Sequence, residues 1–197
     1  YNARSQSETP MAATQSVNRR ISDRKLYLLA AILIPIIVVI GFARTYYLKG
    51  FFTTPPIPSR LVHLHGLIMT SWVLLFVTQV TLVATKRTRV HMRLGILGAI
   101  LAVLVFVVGI LTAVFAAARG ASPGPPALQF LIVPLVDMFV FASLIGTALY
   151  FRRKLDIHKR LMLLAAINFL TPAIARIPLK FIETGGPLAF FGLTDLC

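Results

Sequence analysis

Five long apolar runs constrain this chain more than any other feature of its sequence. They span Leu26–Ala43, Leu61–Thr85, Leu94–Ala118, Ala127–Phe151 and Leu161–Ala175, without the periodicity of a half-buried surface. A bilayer core about 30 Å thick is crossed by about 20 helical residues. The first four runs therefore predict membrane spans. The shorter fifth becomes a span if it includes the residues around Arg176, because a long basic side chain near a helix end can reach the interface.

Composition supports a membrane protein rather than a soluble domain. Hydrophobic residues make up 57% of the chain and charged residues only 13%, against about 45–50% and about 25% in ordinary domains. Only helices or closed barrels span lipid, and these runs do not alternate as barrel strands do. We therefore predict an all-α, polytopic transmembrane helical bundle of five spans. The C-terminal GPLAFFGLTDLC resembles the start of a sixth span, and with no initiator methionine at Tyr1 we expect a longer natural protein.

The predicted organisation is a mobile polar cytoplasmic tail over residues 1–25, followed by the bundle over residues 26–197. Of the 20 Lys and Arg residues, fourteen fall in the tail and in the segments after the second and fourth spans, and six fall on the alternate side. This asymmetry predicts a cytoplasmic N-terminus by the positive-inside rule. We accordingly interpret the net charge of +14 as an anionic-lipid surface rather than a nucleic-acid interface.

Two of the four histidines occur in similar motifs, TRVHMRLGIL around His91 and KLDIHKRLMLL around His158. They are 67 residues apart, and the same offset maps the second span onto the fourth. We therefore interpret residues 60–118 and 127–180 as a possible hairpin repeat. This repeat would place both histidines at the cytoplasmic ends of helices and at matched depth.

His91 shares a helix face with Gly95 and Gly98, and His158 shares one with Ala165. Small residues beside an imidazole leave a groove for a flat macrocycle, so the pair are candidate axial ligands of a b-type haem or another tetrapyrrole. The alternative is that small residues only let helices pack closely and that the histidines only anchor helix ends. The single cysteine excludes a thiolate cluster and a c-type haem attachment motif within this sequence.

The other two histidines, His63 and His65, lie near the predicted outer boundary in LVHLHGLIMTSW. On a helix their side chains diverge by about 200°, so we do not expect them to chelate one ion together. His65 shares a face with Trp72, which is either a wall for a flat ligand or ordinary core packing. Both remain candidate cofactor-binding residues.

Histidines at helix ends on both sides of a small bundle resemble the cytochrome b561 and ferric-reductase-like membrane families. The stretches VHMRLG and IHKRLMLLA more closely resemble an uncharacterised bacterial multi-span family with His-x-Arg-Leu motifs. The cytochrome resemblance implies histidine-ligated haem only if outer and inner histidines pair across helices.

A second candidate site lies within the predicted membrane. Asp137 falls near the middle of the fourth span, where an unpaired carboxylate costs several kcal/mol, so it faces the interior, is protonated or is paired. Asn168 lies at similar depth on the fifth helix, and Arg176 lies two turns farther out. Asp137 is then a proton-relay acid, part of a substrate site or a residue that orients a bound cofactor; the alternative is a polar clamp between the fourth and fifth helices.

Three functions remain open from the sequence. We favour a non-catalytic accessory subunit that packs in a larger membrane assembly, since no nucleotide loop, zincin motif or nucleophile elbow occurs. The alternative is an electron-transfer module with haem between His91 and His158. The third is a small proton-coupled transporter or helper centred on Asp137. In each case we expect a multi-pass protein of the bacterial inner membrane, with lipids and other membrane subunits as partners.

The charge asymmetry makes a direct topological prediction. A cysteine introduced by Ser122→Cys, in a chain whose Cys197 is changed to serine, should react with a membrane-impermeant thiol reagent added to intact cells. The reason is that the segment after the third span faces outward in this topology. If the cysteine reacts only after the cells are broken and the cytoplasmic face is accessible to the reagent, the prediction is wrong.

Overall fold

The computed structural model describes residues 8–53, 56–121 and 126–177, and these residues form helices without a strand. We number the α-helices α1 to α7 in chain order. They are α1 (Glu8–Phe42), α2 (Arg60–Ala84), α3 (Thr88–Ala118), α4 (Ala127–Phe130), α5 (Ile132–Tyr150), α6 (Leu155–Ile167) and α7 (Thr171–Ile174). A π-helical turn, Ala43–Tyr47, continues α1, and a 3-10 turn follows at Lys49–Phe51.

Four helical segments in the described part of the chain are long and apolar enough to cross a membrane. They are Asp23–Tyr47, Arg60–Ala84, Thr88–Ala118 and Ala127–Tyr150, and they correspond to the first four predicted runs. Many of their large apolar side chains are exposed on the surface of the bundle. Leu67 and Leu74 of α2, for example, are about 60% exposed. The all-α class is thus confirmed, and the helices indicate a membrane protein.

The fifth run, Leu161–Ala175, does not form one continuous helix. It is divided between α6 and α7, with an interruption at residues 168–170. Pro172 accounts for the break, because proline has no N–H to donate to the carbonyl of Asn168 and its ring collides with that carbonyl. The count of five spans is therefore not confirmed. The predicted start of a sixth span lies outside the described residues, and α1 begins at Glu8, within the segment predicted as a tail.

The helices pack in a ring. Each of α1, α2, α3, α5 and α6 contacts the next, and α1 contacts α6 and α7, which closes the ring. The interior is filled mainly by α2, α3, α5 and α6, with Phe141 of α5 almost fully buried between Trp72 and Phe169. The Phe141 ring centre lies 5.1 Å from that of Trp72 and 4.6 Å from that of Phe169. These aromatic contacts hold α2, α5 and the end of α6 together.

The ring closes where α1 meets α7. Gly41 lies so close to the main chain of Ala173 that a Cβ atom at Gly41 would stand 2.2 Å from the Ala173 carbonyl oxygen. The residue at this crossing must therefore be glycine, because backbone atoms cannot rotate away as a side chain can. Small residues allow such close approaches between membrane helices.

We predict that Gly41→Ala lowers the thermal stability of the bundle in detergent, because the added methyl group forces α1 and α7 apart. The expected cost is about 1–3 kcal/mol, the usual range for an overpacked interior site. Gly146→Ala in α5 is the matched control, because nothing lies within 4 Å of its Cβ position. Equal melting temperatures for the two variants would contradict the crossing described here.

Candidate histidine site

His91 and His158, the repeated histidines of the sequence, come together at one end of the bundle. This end carries the turns at residues 85–87 and 151–154, and we call it the basic end. The ring centres are 6.4 Å apart and the ring planes are inclined by 77°. Their helices, α3 and α6, both pack against α5, so the two rings approach each other across the end of α5.

The orientation of His158 is fixed by the end of α5. Its Nδ1 lies 2.8 Å from the main-chain oxygen of Ala148. The last carbonyls of a helix have no intrahelical donor, so a side-chain donor there satisfies an otherwise orphan group. Because a carbonyl only accepts, the proton must sit on Nδ1, which leaves the lone pair of the neutral ring on Nε2. This is the tautomer that a metal-ligating histidine adopts when its second nitrogen is anchored.

His91 is half-buried, and its Nδ1 is buried without a hydrogen-bond partner among the described residues. The pair alone offers too few ligands for an ordinary metal ion, since zinc sites use three or four protein ligands. Within the described ranges no group of three or more His, Cys, Asp or Glu residues is suited to hold a metal. A metal held in a tetrapyrrole needs fewer protein ligands, because the macrocycle supplies four and the protein supplies at most two.

The two glycines predicted to line a macrocycle differ in their surroundings. A Cβ atom at Gly98 would stand 3.1 Å from Leu75 of α2, so this glycine serves the packing of α3 on α2. For a Cβ atom at Gly95, the one neighbouring atom within 4 Å would be the Gln79 amide nitrogen, at 3.9 Å. Packing does not require glycine there. Gly95 therefore leaves room beside the first turn of α3, close to His91.

Four buried polar atoms have no hydrogen-bond partner in the described part of the chain. They are His65 Nδ1, Trp72 Nε1, Gln79 Oε1 and His91 Nδ1. A buried polar group left unsatisfied costs about 1–3 kcal/mol, and native proteins leave few of them. Three of these atoms lie on α2 and the fourth lies in the first turn of α3.

The outer histidines are separated as predicted from helical geometry. His63 is exposed, and its ring centre lies 6.2 Å from that of Tyr46, whose hydroxyl donates to the His63 carbonyl at 3.3 Å. His65 instead turns its Nδ1 into the bundle. Both lie near the start of α2, at the end of that helix opposite His91 and His158, so neither is brought to the histidine pair.

Asp137 and Asn168 are neighbours, but the described contact uses the main chain. The Asn168 amide donates to the Asp137 carbonyl oxygen at 3.1 Å, which links α5 to the interruption after α6. Arg176 donates to the Pro172 carbonyl at 2.6 Å, and its guanidinium lies 4.8 Å from the Phe42 ring centre. These contacts tie the α6–α7 region to α5 and α1.

An ion cluster lies beside the histidine pair. Lys159 contacts Asp23 of α1 at 2.7 Å and Asp156 of its own helix at 2.5 Å. Hydrogen bonds to Asp156 and Asp23 raise the pKa of the Lys159 ammonium group, so it stays charged at neutral pH. The cluster fixes the first turn of α6, which carries His158, to the start of the first span.

The basic end also has an open hollow of about 430 Å³. It is lined by Leu149, Tyr150, Arg152 and Arg153 at the end of α5. The two arginine side chains are thus close to one aromatic and one aliphatic side chain. The hollow is separate from the histidine rings.

Two parts of this site were not predicted from sequence. The Ala148 carbonyl has no side-chain signature, and only the end of α5 brings it to His158. The second part is the amide of Gln79, whose nitrogen lies 3.9 Å from the Cβ position of Gly95. The spacing of seven residues from His65 to Trp72 and from Trp72 to Gln79 was the available signal, since such residues share a helix face.

Comparison of the chain with protein families, curated proteins and solved structures finds no match.

We predict that Asn168→Leu weakens the bundle by about 0.6 kcal/mol, and at most about 2 kcal/mol, which is the range for hydrogen bonds between membrane helices. The reason is loss of the amide that joins the α6–α7 interruption to α5. Ser143→Ala is the control, because that hydroxyl bonds to the Phe139 carbonyl of its own helix. Denaturation in mixed micelles measures the difference, and an Asn168 variant as stable as the control would refute the link.

Proposed function

We propose that this chain is an integral membrane subunit that carries a b-type haem, or another metal tetrapyrrole, between His91 and His158. A haem bound there would supply a one-electron redox centre. The protein's own contribution would be to hold two neutral imidazoles at the basic end and to exclude water from them. Such a subunit would pass electrons within a larger membrane assembly rather than catalyse a reaction alone.

The spacing of the two rings is the observation that supports this proposal. Metal–nitrogen bonds near 2 Å place axial nitrogens about 4 Å apart, and ring centres about 6 Å apart, for two imidazoles on opposite sides of a metal. The observed separation of ring centres is 6.4 Å. The rings of axial histidines are free to differ in plane, so the inclination of 77° is compatible with ligation.

The chemistry of the donor set also fits. The Ala148 carbonyl leaves Nε2 of His158 as the ligating atom, and the room beside Gly95 lies on the His91 side. A pair that only anchored helix ends would not need to converge across α5, because each ring could reach headgroups on its own side.

The environment proposed for this subunit follows from its charge and surface. Fourteen of the 20 Lys and Arg residues fall in the N-terminal segment and after the second and fourth spans, which favours the cytoplasmic face of a bacterial inner membrane for the basic end and the N-terminus. The hollow beside Arg152 and Arg153 would hold an anionic lipid there. Other membrane subunits would be its electron donor and acceptor.

The proton-coupled alternative rests on Asp137. Its described contact with Asn168 runs through the main-chain carbonyl and is explained by the packing of α6 on α5. The convergence of two imidazole rings favours the histidine pair as the functional centre.

The decisive experiment is an absorption spectrum of the purified full chain, oxidised and reduced, after expression with haem supplied. We expect one haem per chain, with the sharp reduced bands of a six-coordinate bis-histidine centre. His91→Ala and His158→Ala should each abolish those bands or convert them to a five-coordinate spectrum, because each removes one axial ligand.

His63→Ala is the matched control, since His63 is exposed and lies far from the pair. It should leave the spectrum unchanged. A chain that remains folded and binds no pigment under these conditions would overturn the proposal. So would a haem spectrum that persists unchanged in both His91→Ala and His158→Ala.

A further inference from the structure

The turn between α5 and α6 carries positive charge that no described carboxylate neutralises by an ion pair. Arg152 and Arg153 follow directly after the end of α5, and both side chains are exposed. The salt bridges found within the described ranges both belong to Lys159, which contacts Asp23 and Asp156. The charge of the two arginines is therefore available to a partner outside this part of the chain.

The same two arginines line the open hollow of about 430 Å³ at the basic end, together with Leu149 and Tyr150. This volume falls within the range of about 300–1,000 Å³ that is usual for sites that bind small molecules. The lining combines two guanidinium groups with one aliphatic and one aromatic side chain. An occupant that contacts all four side chains must therefore be anionic in one part and apolar in another.

Aromatic side chains indicate the depth of the hollow in the membrane. Tyr150 is 81% exposed, and its ring centre lies 4.9 Å from that of Phe151. The fourth candidate span ends at Tyr150, and tyrosine is typical of the boundary between hydrocarbon and water. With Tyr150 at this boundary, Arg152 and Arg153 lie at the level of the lipid phosphates, and Leu149 lies at the level of the upper acyl chains.

The two kinds of side chain distinguish a phospholipid from a free anion. A guanidinium group presents a planar fork of N–H donors that matches the oxygens of a phosphate group. A free phosphate ion would use the arginines but would leave Leu149 and Tyr150 without an apolar partner. A phospholipid satisfies both, because its acyl chains begin one glycerol unit away from its phosphate.

We propose that the hollow is a site for one anionic phospholipid, whose phosphate is bound by Arg152 and Arg153 and whose upper acyl chain lies against Leu149 and Tyr150. A zwitterionic lipid binds there more weakly, because its headgroup carries a cation that the arginines repel. The inference rests on the membrane environment given under the proposed function but not on the haem. Its tests use chains free of pigment, so that either proposal can fail while the other stands.

Occupation of this site stabilises the turn that leads to His158. Leu149 directly follows Ala148, whose carbonyl oxygen lies 2.8 Å from Nδ1 of His158. The main-chain N–H of Arg152 donates to the carbonyl of Leu149 at 3.3 Å, so the hollow and the turn share one stretch of main chain. A lipid that contacts both Leu149 and the arginines therefore holds the end of α5 and the turn before α6 together.

The first test counts bound lipid by native mass spectrometry of the full chain, released from micelles that contain phosphatidylglycerol. We expect one phosphatidylglycerol per chain to be retained in preference to phosphatidylcholine. The double variant Arg152→Gln with Arg153→Gln should bind this first lipid at least tenfold more weakly, because both guanidinium groups are lost.

The double variant Arg87→Gln with Arg89→Gln is the matched control. It removes the same charge from the basic end, where both side chains are exposed and neither lines the hollow. Its affinity for the first lipid should stay within twofold of that of the unchanged chain. Circular dichroism verifies that each variant is folded. Equal losses of affinity in the two double variants would mean that overall charge alone attracts the lipid, and this result would overturn the site.

The second test uses thermal unfolding in a neutral detergent to distinguish a lipid from its soluble headgroup. A ligand that binds only the folded chain raises its melting temperature, so saturating phosphatidylglycerol should raise it by about 5 °C. Glycerol 3-phosphate should not raise it, and the Arg152→Gln, Arg153→Gln variant should not respond to either compound. An equal rise with glycerol 3-phosphate would overturn the assignment to a lipid, and no rise with phosphatidylglycerol would overturn the site itself.

Discussion

Hydrocarbon offers no hydrogen bonds, and this constraint shapes the rest of the structure. Every main-chain donor and acceptor within the bilayer must find a partner inside the protein, so the spanning segments are helices. The same constraint acts on side chains that face lipid, whose hydroxyls at Thr78, Thr81 and Ser143 bond to carbonyls one turn earlier. At the interruption after α6, the side-chain amide of Asn168 donates a hydrogen bond to the Asp137 carbonyl of α5.

The exceptions to this rule are all directed inward. His65, Trp72, Gln79 and His91 have buried polar atoms without partners among the described residues, and they lie on the α2 and α3 side of the ring interior. His91 belongs both to this set and to the histidine pair.

Much of this arrangement could be predicted from sequence. The lengths of the apolar runs predicted the four candidate spans, and the repeated motifs predicted that His91 and His158 lie at the same end of the bundle, as the structure shows. Helical spacing also predicted that His63 and His65 diverge. These properties depend on local periodicity and length, which one sequence contains.

The remainder depends on tertiary contacts. The fifth run is apolar enough to predict a helix, but Pro172 interrupts it. Proline cannot donate the main-chain hydrogen bond that a continuous helix needs, however apolar the segment is. Gly95 and Gly98 looked equivalent in sequence, yet only Gly98 is packed against a neighbouring side chain. The anchor of His158 is a carbonyl of Ala148, and no side-chain pattern encodes the position of a main-chain atom.

The contact between Gly41 and Ala173 also bears on how the protein is assembled. The first span leaves the ribosome long before α7 is made, so during synthesis its Gly41 face must wait in the lipid or against the insertion machinery. The ring is completed only when the end of α6 and the short α7 arrive, and Lys159 then reaches Asp23 at the other end of α1. Insertion of individual helices and closure of the bundle are accordingly separate events, and a chain truncated before α6 would retain its first spans but leave α1 without these partners.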